Sequence, residues 1–292
     1  MKKLKTKIFE NSVLNELTNL KPIDNIKEGD SGSVTYLDYE ETKSDNESIS
    51  EIGLKMKTEK FEYENIRFDI RGGEKEFIQT IVRNELKDIA SLCNKGMMLE
   101  GKNILVTKKP IKLNIFQRFW NWIRGVKPDY DPDEIDLMAS YRRIITKILM
   151  GSNLIAASCR RGPASHIIVN TLMGTIIADS SGFTMNTNKI IEYSGLPYQI
   201  GTFSGMNVIV DPYMRWDDTR VLIYRIGESA DQPGPLFIYE SNGDIKTETK
   251  NTDSCAPLTE YSFIGKRMVL GSRPHDAYGM VVFNNKDIEK IM

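Results

Sequence analysis

The longest helical pattern of this chain gives way to mostly strand patterns at Gly162-Pro163. Immediately upstream, apolar residues recur every three or four positions, as on one face of a helix. Downstream they gather in short runs between Gly, Pro, Asn and Asp, as in strands and turns. The longest helix is signalled at Asp131-Pro132-Asp133-Glu134. Asp131 can cap free N–H groups, Pro132 suits the first helical position, and Glu134 completes a capping box. Ile135, Met138, Tyr141, Ile145, Ile148 and Leu149 form the apolar face, which continues through Leu154 and Ile155. The pattern predicts roughly 25 residues of helix, about 37 Å. Arg160 and Arg161 close it, where cations favour the dipole and the open carbonyls. Strands are predicted at His166–Val169, Thr175–Ala178, Met206–Asp211, Val221–Ile226, Leu236–Tyr239, Met268–Leu270 and Tyr278–Phe283. Helices first and strands after, without βα alternation, imply an α+β fold and exclude a doubly wound sheet.

The N-terminal third is read in the same way. Residues 1–50 are polar and irregular, with Asp38 to Glu51 expected as a mobile arm or loop. Ile52–Met56 and Phe61–Ile70 are strand-like, and Gly72-Gly73 breaks them. Phe77, Ile78, Ile81, Val82, Leu86, Ile89 and Cys93 make a helical stripe that Gly96 ends. Residues 104–115 read as strand or loop. Phe116, Phe119, Trp120, Ile123 and Val126 form another helical stripe, interleaved with Arg118 and Arg124 and stopped by Lys127-Pro128.

Charge and residue usage exclude several functions. The 292 residues carry 39 basic and 40 acidic side chains, a net charge of -1, without the positive excess of bulk nucleic-acid binding. The three cysteines, Cys93, Cys159 and Cys255, are far apart and include no CxxC pair, so neither a disulfide framework nor a zinc site is expected. His166 and His275 are the only histidines, and neither sits in a triad or metal-type arrangement. No apolar run approaches the ~20 residues that cross a bilayer. A soluble protein made in the cytoplasm is expected.

Several local patterns have a sharp reading and a plainer one. Gly96-Met97-Met98-Leu99-Glu100-Gly101-Lys102-Asn103 nearly spells a nucleotide-binding P-loop, but Asn103 stands where Ser or Thr must hold magnesium. A helix end and turn accounts for it better. Arg160-Arg161 could bind phosphate, but helix-end capping and ion pairs within or between subunits fit the position better. Phe116–Arg124 could meet a membrane or a partner groove, yet it spans only about three turns. Packing within the fold or against a neighbouring subunit is expected for Phe116, Trp120 and Ile123. Asp217-Asp218 could suggest a cation site, and a polar turn joining two strands is the better account.

Four blocks in fixed order carry a family resemblance over about residues 150–285. They are Cys159-Arg160-Arg161-Gly162-Pro163 through Val169; Gly201, Gly205 and Val208–Tyr213 with its Asp-Pro-Tyr; Val221–Gly227, Asp231 and Pro235–Tyr239; and Asp276–Asn284. In this order they resemble the major head proteins of tailed bacteriophages, especially the T-even-like group. Ile52–Met56 resembles the segment near that family's E-loop, and Cys159 stands where the family usually has Ser.

The resemblance implies the Hong Kong 97-like capsid fold, with residues 1–50 as N-terminal arm and 51–165 as E-loop and P-domain. The spine helix would fall at about 132–159. Residues 166–270 would be mainly A-domain, and 271–292 a return strand to the P-domain and a C-terminal tail. It further implies a virion protein, not an enzyme, without cofactor or metal. Its partners would be itself in hexamers and possibly pentamers, possibly scaffolding, portal and vertex proteins, and packaged DNA only non-specifically. No membrane partner is expected. The loops 179–187 and 227–234 are candidates for axial contacts. A capsid vertex protein or an encapsulin-like shell of the same fold is the alternative. A nucleotide-binding enzyme using residues 96–103 is a distant one.

Overall fold

A computed structural model of the chain describes residues 18–23, 27–42, 51–108, 114–125, 134–159, 162–186, 197–215, 217–225, 236–241, 245–250, 256–268 and 277–292. Its largest element is a seven-stranded sheet in the order β5 (Met97–Gly101), β14 (Tyr278–Phe283), β10 (Arg220–Tyr224), β6 (His166–Val169), β9 (Met206–Val210), β8 (Tyr198–Phe203) and β7 (Phe183–Met185). The pairs β5–β14 and β6–β9 are parallel, and the others antiparallel. The central strands read as unbroken apolar runs because both faces of the sheet are covered. Alternate residues divide between two cores. Ile167, Val169, Val208, Val210, Val221, Ile223 and Val281 face one; Ile168, Ile209, Leu222, Tyr224 and Met280 face the other.

Helix α1 (Glu74–Lys95) covers the second face. Phe77, Ile78, Val82, Leu86, Ile89, Leu92 and Cys93 are buried along it, as the three-to-four spacing predicts. The backbone N–H of Gly73 donates to Glu76 Oε2 at 2.8 Å, half of a capping box, and Gly96 ends the helix. The same apolar face reaches Phe68, Ile70, Tyr261 and Ile245 of a second sheet. There β13 (Leu258–Met268) pairs antiparallel with β4 (Glu64–Arg71), with β12 (Lys246–Lys250) and with β11 (Leu236–Ser241), which in turn pairs parallel with β1 (Thr18–Ile23). α1 therefore ties the two sheets together.

Two helices cover the first face of the large sheet. α3 (Leu137–Cys159) buries Ile144, Ile148 and Ile155 there. It starts later than the sequence predicts. Asp136 caps it, its Oδ1 accepting from the Ala139 N–H at 3.0 Å. Ile135, expected on the helical face, instead bridges Thr107, and Glu134 pairs with Lys108 at 2.8 Å. The expected start at 131–133 lies outside the described residues. Thr175–Ala178, predicted as a strand, belongs to α4 (Thr171–Ala178). Asn170 Oδ1 accepts from the Met173 N–H at 2.8 Å and opens that helix. The parallel pair β6–β9 needs a crossover over one face, and this demand overrides the β-branched propensity of Thr175-Ile176-Ile177.

Other expectations are also corrected. Met97–Gly101, read as a helix end and turn, is an edge strand. Arg220 rather than Val221 opens β10, which ends at Tyr224. Of the strand expected at Met268–Leu270, Met268 belongs to β13 and residues 269–270 lie outside the described residues. Residues 31–42, read as irregular, form β2 (Ser31–Thr42), which pairs residue for residue with β3 (Glu51–Glu62). The chain ends in α5 (Asn285–Lys290), whose Ile288 joins the first core. The architecture is α+β, as the order of patterns predicts.

Candidate assembly surfaces

The β2–β3 hairpin pairs from Ser31↔Glu62 to Thr42↔Glu51 and hydrogen-bonds to no other strand among the described residues. Twelve residues per strand span about 40 Å. Its base is anchored. Phe61 and Tyr63 are buried and meet edge to face, with ring centroids 5.2 Å apart. The Gly29 N–H donates to the Tyr63 carbonyl, and the Tyr63 N–H to the Asp30 carbonyl, both at 2.9 Å. Beyond the base the side chains from Met56 to Lys60 are exposed. The hydroxyls of Thr35 and Thr58 meet across the ladder at 3.0 Å.

The second surface is α2 (Ile115–Ile123). Asn114 opens it, its N–H donating to Gln117 Oε1 at 3.1 Å. At its end the Arg124 guanidinium lies 5.3 Å from the Trp120 ring centroid. The helix buries no residue. Phe116 is 86% exposed, Trp122 77%, Trp120 53% and Ile123 54%. Of the two packing options open to the sequence, burial within the subunit is not seen among the described residues. The periodicity revealed the stripe; only tertiary structure shows that nothing among the described residues covers it.

Arg160, Arg161, His275, Trp216, the loop 227–234 and Thr187 lie outside the described residues. The junction beside the two arginines is knit by backbone contacts. The Ala164 N–H donates to Ser152 Oγ at 3.0 Å, and Arg225 Nη1 to the Pro163 carbonyl at 3.1 Å. Residues 179–186 form an exposed turn into β7, with Met185 at its surface.

The Asp-Pro-Tyr block has structural work. The Tyr213 N–H donates to Asp211 Oδ1 at 2.9 Å, and the Arg83 guanidinium of α1 lies 3.6 Å from the Tyr213 ring centroid. These residues line a cleft of about 540 Å³ with Arg215, Asp218 and Arg220. Burial pushes the Asp211 carboxyl up, against the Tyr213 hydrogen bond and the charge of Arg83. Burial would raise Asp218 too, but the Arg220 side-chain and backbone hydrogen bonds together hold it below the ordinary value. Asp217 pairs with Arg215 at 2.8 Å and Asp218 with Arg220 at 2.6 Å, so the acidic pair forms an ion-paired turn. Both carboxylates of the acidic pair therefore already face an arginine.

His166 is buried in β6, its Nδ1 2.9 Å from Ser165 Oγ and its Nε2 3.1 Å from Asn207 Nδ2, with its ring stacked on Tyr224. This is a structural histidine. The P-loop look-alike is strand β5 followed by Lys102, which pairs with Glu100. Among the described residues no helix is long and apolar enough to cross a membrane.

No family model matches the chain, and no curated protein matches it. Among solved structures it is similar to the capsid structure of the cyanophage P-SCSP1u, with a TM-score of 0.44 at 10% identity, covering 94% of this chain and 88% of that one. It is similar to the capsid of Ralstonia phage GP4, with a TM-score of 0.45 at 10% identity, covering 93% and 90%. It is also similar to the virus-like particle from Pyrococcus furiosus, with a TM-score of 0.42 at 11% identity, covering 96% of each chain.

Proposed function

We propose that this chain is a shell-forming structural subunit of the virion, a major head protein of a tailed phage with the Hong Kong 97-like fold, in the T-even-like group. The observation that carries this reading is the β2–β3 hairpin. A two-stranded ladder is at best marginally stable alone in water. This one extends well past its anchored base, so a neighbouring molecule is the natural support for its outer part. The hairpin takes the part of the E-loop. The five-stranded sheet with α1 forms the peripheral unit, and most of the seven-stranded sheet the axial one. Because α1 bridges both sheets, it takes the part of the spine that the sequence reading gave to 132–159.

Function is then geometric. Copies form hexamers, and pentamers where no separate vertex protein exists, and the turn at 179–186 contributes axial contacts. Arg160 and Arg161 make inter-subunit ion pairs, and scaffolding and portal proteins are further partners. Each contact can be modest because a closed shell makes many at once. DNA is enclosed without base-specific binding, and no catalytic step is involved.

Negative-stain electron microscopy together with sedimentation velocity over a concentration series tests this. Rings, tubes or shells that grow with concentration are expected. A single compact monomer at every concentration overturns the reading.

A further inference from the structure

The chain leaves the body at Lys108 and returns at Glu134, and the two points are clamped together. Thr107 bridges Ile135, and the Lys108 ammonium pairs with Glu134 at 2.8 Å. The Lys108 N–H donates to the Glu134 carbonyl at 2.8 Å, and the Asp136 N–H to the Val106 carbonyl at 2.7 Å. Residues 109–133 are thus an excursion closed at its base, with α2 in its middle. The order of residues around this helix is its most specific feature. At about 100° per residue, Ile115, Phe119, Ile123 and Phe116 fill the centre of one side. Trp122 and Trp120 stand at its two margins, and Arg118 and Arg124 follow directly beyond them. The Arg124 guanidinium lies 5.3 Å from the Trp120 ring centroid, and the Phe119 and Trp122 centroids are 6.2 Å apart, as this order requires.

The six apolar side chains are each more than half exposed and present on the order of 900 Å², more than the largest apolar patch of an ordinary monomer. The margins and the charge select what covers them. At a bilayer surface, aliphatic and phenyl groups enter the acyl boundary, indoles sit at headgroup level, and guanidiniums reach the lipid phosphates. That layering is the order found around α2. Residues 101–128 hold seven Lys or Arg and no Asp or Glu; acids return only at Asp129, towards the base where Glu134 is paired. Two α2 faces brought together would oppose like charges, whereas an anionic lipid surface attracts them. A single nucleic-acid strand is held in a charged groove, and this face is convex. Three turns cannot cross a bilayer, but a helix lying along its surface needs only one continuous face, here about 14 Å long.

We propose that α2 docks the subunit on an anionic lipid bilayer. It lies along the surface with Phe116, Phe119 and Ile123 in the acyl boundary, Trp120 and Trp122 at headgroup level, and Arg118 and Arg124 on lipid phosphates. This departs from the expectation of no membrane partner. Nine residues give a shallow, reversible hold. The docking does not depend on the shell reading, although a shell multiplies a weak contact by its copy number.

The full-length chain tests it, floated below its assembly concentration with vesicles of phosphatidylethanolamine and phosphatidylglycerol, and with vesicles of phosphatidylcholine alone. The anionic vesicles should retain the protein about tenfold or more better than phosphatidylcholine, and retention should fall as salt is raised. Brominated acyl chains should quench its tryptophan fluorescence. Phe116→Asp with Trp122→Asp should weaken retention about tenfold or more, with the thermal melt unchanged because α2 buries no residue. Arg118→Glu with Arg124→Glu should weaken it about tenfold or more at low salt, and Arg118→Lys with Arg124→Lys should keep most of it. The arginine variants test the docking even where the aspartates disturb folding.

Flotation of the wild type no better than that of the Asp variant, or equal on both kinds of vesicle, overturns the docking. Loss of assembly in the Asp variant, without vesicle retention by the wild type, gives the face to another subunit. The same dependence for binding to single-stranded DNA gives it to nucleic acid. Either result overturns the lipid assignment. A failure to assemble in the absence of lipid bears on the shell reading alone.

Discussion

Phe77 is the place to test whether α1 holds the two sheets together. It is fully buried, its ring stacked on Tyr261 at 4.2 Å and 7°, with Phe68 edge-on at 5.8 Å. Phe77→Ala removes a buried aromatic side chain and should cost about 3–5 kcal/mol. Phe77→Leu keeps most of the apolar volume and loses two ring pairs worth about 0.5–1.5 kcal/mol each, so it should cost roughly 1–3 kcal/mol. A double-mutant cycle with Tyr261→Leu should recover a coupling of about 1 kcal/mol. Urea unfolding followed by far-ultraviolet circular dichroism, at concentrations below assembly, measures all three. Hydrogen exchange adds a spatial check. In Phe77→Ala the amides of β4 and β13 should lose more protection than those of β6 and β9, which other side chains still cover. A cost for Phe77→Ala below about 1 kcal/mol, or equal losses in both sheets, would refute the role of α1 as the tie.

Asn170 should be as sensitive as a core residue. Its Oδ1 caps α4, and its Nδ2 donates to the carbonyls of Arg215 at 2.9 Å and Asp218 at 2.7 Å. Asn170→Ala should cost about 2–4 kcal/mol, and Asn170→Asp should recover only the cap, about 1 kcal/mol, by denaturant titration. Gly201 lies in β8, not in a turn, and a Cβ there would meet the Thr184 carbonyl oxygen at 2.2 Å and the Phe183 ring at 2.6 Å. Gly201→Ala should therefore destabilise by about 2 kcal/mol or more, against about 1 kcal/mol for Gly205→Ala, whose only cost is its positive φ. A melting series showing the reverse order contradicts this. The pH dependence has two opposed parts. Asp218, held low, stabilises above the ordinary aspartate value, and this is lost as pH falls through its lowered folded value. Asp211, held high, favours its protonated form in the fold, so stability falls as pH rises from the ordinary value through the raised one. Asp218→Asn should flatten the acid limb of a stability–pH curve, while Asp211→Asn should preserve or raise stability at neutral pH.

The sequence by itself determined the elements whose signal is local. The three-to-four spacing of Phe77 to Cys93 specifies α1, and the apolar runs at 166–169, 206–210 and 278–283 specify strands covered on both faces. The amphipathic character of Phe116–Ile123 was equally legible, because it depends only on neighbours along one helix. Tertiary structure decided the rest. Ser31–Thr42 becomes a strand because Glu51–Glu62 pairs with it, although its alternation of Val34, Tyr36 and the residues between them was a signal that its acids concealed. The polar Lys246–Lys250 becomes a strand on the edge of β13 for the same reason. Thr175–Ala178 turns helical because a parallel pair needs a crossover, and α3 starts at Asp136 rather than Asp131 because Ile135 is drawn into a bridge with Thr107. Exposure was settled at the same level. A stripe of aromatic residues has one appearance in sequence whether a core or a neighbouring subunit covers it, since burial is a property of what packs against the helix.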